Sequence, residues 1–319
     1  MKRILVTGAS GQVGSELVPA LRQRYGAQNV LATDIRHAEG ALSEEGPFQI
    51  VDCTDRAGLD EAVGGFATDT IYHLAAILSA VGEADPLKAY AVNLGGLANA
   101  LEVARTRGCA VFIPSSIAAF GPSTPPDPTP QDTIQRPTTM YGVTKVAGEL
   151  LADYYFLRYG VDTRGVRYPG LISHLALPGG GTTDYAVEIF YEAIREGRYT
   201  CFLKPDTQLD MMYMPDAVRA SIAVMEADPA ALRHRNAFNI AAMQFTPDQL
   251  ADAIRHHIPG FVMEYDVDPL RQGIAESWPR RLDDSAAREE WGWTSEYDLE
   301  SMVADMLSNL RDKLAPAGA

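Results

Sequence analysis

The sequence predicts an α/β fold, a doubly wound parallel sheet followed by a smaller C-terminal α/β lobe. Three observations carry that expectation. Short β-rich runs alternate with helical stretches through the first half of the chain. A glycine-rich turn joins the first of those runs to the first helix. Beyond Tyr168 the alternation loosens into Gly- and Pro-rich sequence and further helices. Strands alternating with helices make a parallel sheet with helices on both faces.

Arg3 to Thr7 reads as the first strand. Gly14 to Tyr25 reads as a helix, because Val13, Leu17, Val18 and Leu21 share one side at helical spacing. Asn29 to Thr33 and Phe48 to Val51 are the next strands, Leu59 to Phe66 a helix, and Thr70 to Ala75 the fourth strand. A long helix is predicted over Pro86 to Arg107, a fifth strand over Ala110 to Ser115, a helix over Tyr141 to Tyr159 and a sixth strand over Thr163 to Arg167. Pro122 to Pro137 is a proline-rich loop, and loops of that length in compact domains are commonly functional. Ser173 to Asp184 reads as a loop, Tyr185 to Gly197 as a helix, Met212 to Tyr213 as a short strand and Pro215 to Ala227 as a helix. Residues 245–319 are expected to hold two or three more helices around Ser277, Trp278 and Pro279. The division is residues 1–170 against residues 171–319, with part of the second half free to rejoin the first sheet.

The composition is that of an ordinary globular chain: 319 residues, 46% apolar and 22% charged. The net charge of −15 repels phosphate backbones and anionic lipid surfaces, so neither nucleic acid nor membrane is an expected partner. Cys53, Cys109 and Cys201 are odd in number and far apart, which argues against a disulfide framework and against a bound metal. After Lys2 and Arg3 the apolar run is only Ile4 to Val6, and no long apolar stretch follows, so a cytoplasmic location is expected.

Thr7-Gly8-Ala9-Ser10-Gly11-Gln12-Val13-Gly14 stands between the first strand and the first helix. One glycine suits a tight turn, one lets the backbone approach a pyrophosphate, and one lets helix and strand pack closely. The helix N-terminus offers unpaired N–H groups to phosphate. The spacing is Gly-x-x-Gly-x-x-Gly rather than the commoner Gly-x-Gly-x-x-Gly. Asp34 closes the second strand, where a carboxylate accepts ribose hydroxyls and repels a 2′-phosphate, favouring NAD over NADP. Arg36 argues the other way. Asp52 and Cys53 follow the third strand, where an adenine edge would lie, and ordinary loop positions explain them nearly as well.

Tyr141 and Lys145 lie one turn apart on one helix face. A tyrosine ionises near pH 10, and a neighbouring ammonium and a positively charged nicotinamide both favour the phenolate. Such a tyrosine can take the proton of a substrate hydroxyl as hydride leaves the carbon, and Ser116 at a strand end can bond the same oxygen. The pair alone occurs by chance on many helices. Its combination with the glycine loop and the strand-end serine gives it weight.

The glycine loop, Asp34, Leu74-Ala75-Ala76, Asn93 with Gly96 and Asn99, Ser115-Ser116 and Tyr141/Lys145 together resemble the extended short-chain dehydrogenase/reductase superfamily, which includes nucleotide-sugar epimerases and dehydratases. The resemblance implies a Rossmann sheet, a catalytic set of Ser116, Tyr141 and Lys145, and a C-terminal substrate lobe. It implies NAD held by Gly8, Ser10, Gly11, Gln12, Val13 and Gly14, by Asp34, Ile35, Asp52 and Cys53, and by Leu74, Ala75, Ala76, Asn93, Tyr141, Lys145 and Tyr168. It also implies a homodimer through a four-helix bundle, with Leu150, Leu151, Tyr154 and Leu157 serving that seam or the sheet's own core.

Three later stretches, Tyr168 to Ser173 with Pro178 to Ala186, Asp210 to Ala217, and Ser277-Trp278-Pro279, resemble the short-chain-type L-threonine 3-dehydrogenases, which use no zinc. The implied substrate is L-threonine, held by Ser79, Ser116, Tyr141, Thr182, Thr183, Asp184 and Trp278, and the implied product is 2-amino-3-oxobutanoate. Helix capping would also account for Thr182 to Asp184, and core packing for Trp278. Two alternatives stand beside this reading. A nucleotide-sugar epimerase or dehydratase would need basic residues for a diphosphate, and Arg280-Arg281 is the one adjacent pair in the C-terminal region. A non-catalytic NAD-binding regulator would have no use for the serine, tyrosine and lysine together.

Overall fold

The computed structural model describes residues 1–38, 40–176, 179 and 181–314. Six parallel strands form the main sheet in the order Phe48–Ile50, Val30–Asp34, Ile4–Thr7, Thr70–His73, Ala110–Phe112 and Thr163–Arg164. The fold class is as the sequence predicts. The strand order reverses between Ile4–Thr7 and Thr70–His73, and in such sheets the crevice at the carboxyl ends of those two strands receives the ligand.

The last two strands continue past a break. Ser115–Ser116 pairs with Arg167 and Tyr168 in the same register as Val111 and Phe112 pair with Thr163 and Arg164. Pro114 sits in the gap, and a proline has no N–H to give a ladder. Its carbonyl accepts the Lys145 ammonium at 2.6 Å instead. Phe238–Asn239 lies parallel to Val166 and Arg167 and adds a strand from the second half of the chain.

Helices cover both faces. Gly14–Tyr25, Met214–Glu226 and Ser285–Trp291 bury Leu17, Leu21, Val224 and Ala287 against one face. Arg56–Gly65, Gly96–Arg107 and Met140–Tyr159 bury Leu59, Leu101 and Ala152 against the other. A separate core gathers Phe190, Met211, Phe245, Ile254 and Met306. Around it lie a sheet of Met243–Phe245, Leu209–Tyr213 and Gly170–Ile172, a parallel pair of Arg198–Cys201 with Val262–Tyr265, and the helices Tyr185–Arg195, Pro247–His257 and Leu299–Leu314.

Three expectations need correction. The helix predicted over Pro86 to Arg107 is Pro86–Tyr90, then one wide π turn at Ala91–Gly95, then Gly96–Arg107. The side chain of Asn93 is the physical reason to look for, because it faces inward there and bonds another segment. The C-terminal region holds four helices among the described residues, Pro269–Glu276 and Ser285–Trp291 being the ones a count of two or three misses. Strands of two to four residues such as Gly170–Ile172 and Met243–Phe245 were not anticipated, since a pattern of period two needs more residues to declare itself. On the helix Met140–Tyr159, Leu150, Tyr154 and Leu157 are exposed, whereas Leu151 packs on the core.

Candidate active site

A cavity of about 220 Å³ opens at the reversal of strand order. The glycine turn forms one wall. Gly8 has φ +66°, and a Cβ there would stand 2.8 Å from the backbone nitrogen of Ala75. A Cβ on Gly14 would stand 2.6 Å from the carbonyl oxygens of Gly8 and Ala9. Both positions therefore need glycine, one for the turn and one for helix–strand packing. Gly8, Gly11, Gln12, Val13 and Gly14 all line the cavity, and so do Leu74 and Ala76.

Asp34 is buried at its strand end. Its Oδ2 accepts the N–H of Ser10 at 3.0 Å, and its Oδ1 accepts the N–H of Arg36 at 3.2 Å. The Arg36 guanidinium lies 3.8 Å from the same carboxylate and is 72% exposed. The Ser10 hydroxyl is buried beside the turn with no partner among the described residues. A glycine cradle, a strand-end carboxylate and an orphaned hydroxyl fit a dinucleotide.

Other residues expected at the cofactor lie off the cavity wall. Ile35 is exposed. Asp52 accepts the backbone N–H and the hydroxyl of Thr54, each at 2.8 Å. Cys53 is buried, and burial pushes its thiol up to about 11. Asn93 uses both its polar atoms elsewhere. Its Oδ1 accepts the N–H of Ile77 at 2.7 Å, and its Nδ2 donates to Ile77 O at 3.0 Å and Thr144 Oγ1 at 3.2 Å. It thus clamps the segment after Thr70–His73 to the catalytic helix. The Tyr168 hydroxyl turns away to bond Ser221, while the residue still lines the cavity.

Ser116, Tyr141 and Lys145 do come together on the cavity wall. Thr139 caps their helix by accepting the N–H of Gly142 at 3.1 Å. The Lys145 ammonium donates to Pro114 O at 2.6 Å and lies 5.3 Å from the Tyr141 ring centre. Burial pulls Lys145 down to about 8, opposed by the charge of Glu149. Burial pushes Tyr141 up to about 12, partly offset by its hydrogen bond with Ser116. Desolvation of the phenolate is the largest cause, so the ammonium does not by itself bring Tyr141 toward neutrality; the expectation joined it to a positively charged nicotinamide.

Ser79, Thr182, Thr183, Asp184 and Trp278 line the same cavity. Ser79 and Thr182 are buried, and Trp278 belongs to the second core as well. Helix Tyr185–Arg195 begins after Asp184, but the Asp184 side chain makes no bond to cap it. It accepts the N–H of Gly181 at 2.6 Å instead. Pro178 and Gly180, part of the motif read from sequence, lie outside the described residues.

Sequence reasoning missed the support behind this wall. Glu149 is buried, pairs with Arg167 at 2.8 and 3.0 Å, and accepts the Ser115 hydroxyl. It falls four residues after Lys145, so extending the Tyr141–Lys145 stripe by one turn would have found it. His73 was also missed. Its Nδ1 lies 3.0 Å from Thr7 Oγ1, and burial holds the ring down at about 4, hence neutral.

Among the described residues no cluster of three or more His, Cys, Asp or Glu is placed to hold a metal ion, and no helix is long and apolar enough to cross a membrane. The chain is 56% identical to an uncharacterized epimerase/dehydratase of Staphylococcus saprophyticus over 98% of both chains. Its structure is similar to that of L-threonine dehydrogenase from Clostridium difficile, with a TM-score of 0.97 and 55% identity over 98% of both chains. It is also similar to a monomeric L-threonine 3-dehydrogenase from a metagenome, with a TM-score of 0.94 and 42% identity over 97% of this chain and 99% of that one. Residues 4–241 match the NAD-dependent epimerase/dehydratase family. With the glycine cradle, the strand-end aspartate and the serine, tyrosine and lysine on one wall, the chain belongs to that family.

Proposed function

We propose that the protein oxidises L-threonine at its 3-hydroxyl to 2-amino-3-oxobutanoate, with NAD⁺ as the acceptor. The observation that carries this reading is the meeting of two sets of side chains. The serine, tyrosine and lysine share one cavity with small hydroxyl-bearing side chains, Ser79, Thr182 and Thr183. Among the described residues Lys145 is the single cation on the wall. Arg281 is already bonded to Asp127 at 2.8 Å. These features disfavour a nucleotide-sugar substrate and suit a compact zwitterion.

Gly8, Ser10, Gly11, Gln12, Val13, Gly14 and Asp34 would hold the dinucleotide, with Lys145 reaching a ribose hydroxyl. Bound NAD⁺ supplies the acceptor for the electron pair that leaves C3 with its hydrogen, and a positive charge near Tyr141. That charge lowers the cost of the phenolate. Tyr141 then takes the hydroxyl proton, and Ser116, held by the N–H of Ala118 at 3.2 Å, steadies the oxygen as it becomes a carbonyl. Thr182 and Thr183 would bind the carboxylate, and Asp184 would face the ammonium. Residues 1–170 would hold the cofactor and residues 171–319 mainly the substrate.

The test is a substrate screen read by NADH absorbance for net oxidation and by chromatography of the sugar nucleotides, because an epimerase or dehydratase regenerates its NAD⁺ and accumulates no NADH. L-Threonine is expected to give NADH and UDP-sugars to remain unconverted. Conversion of a UDP-sugar without threonine oxidation would replace this reading with the nucleotide-sugar one. We also propose a homodimer through Leu87, Tyr90, Leu150, Tyr154 and Leu157, which expose an apolar face on two helices. Sedimentation at the mass of one chain would instead align the protein with its monomeric neighbour.

A further inference from the structure

We propose that Glu16 is a positioning residue for the substrate: from the helix that receives the dinucleotide, it ties down the start of the segment that carries Thr182 and Thr183. The inference rests on the dehydrogenase reading. Glu16 lies in the first turn of Gly14–Tyr25, two residues past the glycine that packs that helix on its strand. Ser173 is buried immediately after strand Gly170–Ile172. Its hydroxyl donates to Glu16 Oε1 and accepts the N–H groups of Leu175 at 3.1 Å and Ala176 at 3.3 Å. One donor and two acceptor sites are all a serine hydroxyl has. The knot is therefore saturated, and it cannot be re-made with another partner at no cost.

The same turn is held from two other directions. The Lys313 ammonium donates to His174 O at 3.2 Å and Leu175 O at 2.9 Å. The His174 ring bonds the Tyr213 hydroxyl at 2.8 Å, and that hydroxyl donates to Asp305 at 2.6 Å. Those ties come from the second half of the chain. Glu16 is the tie from the cofactor helix, and Thr183 packs against Gly170 at the start of the strand that Ser173 follows, so the tie bears on the part of the cavity wall that carries Thr183. A glutamate in a first turn is ordinarily explained by the helix dipole at an exposed surface. Glu16 is instead partly buried, which raises its carboxyl to about 7 against the pull of the Ser173 bond. Burying a carboxyl is costly, and a dipole partner would not need it.

The experiment compares wild type with Glu16→Ala, Glu16→Gln and Ser173→Ala. Glu16→Ala and Ser173→Ala should each raise the KM for L-threonine by about 10-fold, the order expected for a lost buried hydrogen bond. The kcat and the Kd for NAD⁺ should change by less than about threefold. Glu16→Gln keeps an acceptor oxygen of the same reach and should restore most of the KM. A wild-type KM in Glu16→Ala overturns the proposal. So does a loss of NAD⁺ affinity in step with KM, or a glutamine no better than alanine. Amide hydrogen exchange with NAD⁺ bound gives a readout independent of turnover. Leu175 and Ala176 should exchange faster in Glu16→Ala, and unchanged rates overturn the tie. If wild type fails to oxidise threonine, the dehydrogenase reading falls, and the exchange result still decides the role of Glu16.

Discussion

Tyr141 concentrates the chemistry of this site in a single proton. Burial raises it to about 12, so in the cofactor-free protein it is a phenol at neutral pH. The lysine one turn away cannot reverse that alone, being itself pulled down to about 8 and committed to Pro114. In the proposed reaction the base is made when positive charge arrives beside it. Tyr141→Phe keeps the ring and loses the proton acceptor. Its turnover should fall by at least roughly 10²–10⁴-fold, the range for general acid–base groups, with NADH binding by fluorescence largely intact. A near-normal rate would remove Tyr141 from the mechanism. Elsewhere in the cavity, Thr183→Ala removes a hydroxyl without leaving a large void. If that hydroxyl bonds the substrate carboxylate, the KM for threonine should rise by roughly 10-fold, corresponding to about 1.4 kcal/mol, with NAD⁺ affinity unchanged. An unaltered KM would mean that Thr183 serves only to pack against Gly170, where an added Cβ would stand 2.7 Å from its methyl.

At the scale of elements, the glycine turn carries the tightest constraint. Gly14→Ala would force a methyl to within 2.6 Å of two backbone oxygens. Backbone cannot rotate aside as a flexible side chain does. The variant should lose about 1–3 kcal/mol of stability in a denaturant titration, together with most of its NAD⁺ affinity. Retention of both would show that the helix start is free to shift. This element was legible because its signal is local: strand, glycines and helix follow one another within a dozen residues. The helix bearing Tyr141 and Lys145 was legible for the same reason. The π turn at Asn93 was not, because its cause is the hydrogen bond of Asn93 with Ile77 and Thr144, remote in sequence. Of the strands of the second core the sequence announced only Met212 to Tyr213, and the others were equally silent. Gly170–Ile172 becomes a strand by pairing with Leu209–Tyr213, and nothing in three residues announces that partner.

Across the whole molecule, one buried ion pair joins what the sequence divides. Glu149 and Arg167 are 4% and 6% exposed, and Arg167 also reaches Gln131 O at 2.8 Å and Asn239 Oδ1 at 3.0 Å. The catalytic helix, the sixth strand, the proline-rich loop and the returning strand meet there. Glu149→Ala leaves a guanidinium buried without its anion, which costs about 3–5 kcal/mol. Chemical denaturation should register that loss. A change below about 1 kcal/mol would place the pair outside the stability of the fold. The same knot holds Ser115 beside Ser116, so the catalytic wall and the closure of the sheet depend on one another.

The central claim is that this cavity brings the C3 carbon of threonine to NAD⁺. The most direct measurement follows the hydrogen on that carbon. Purified protein is given NAD⁺ and L-threonine deuterated at C3, and the NADH is analysed by mass spectrometry. The account predicts NADH one mass unit heavier than the product of unlabelled threonine, formed only when threonine is present. NADH without deuterium, or no threonine-dependent NADH at all, would contradict it.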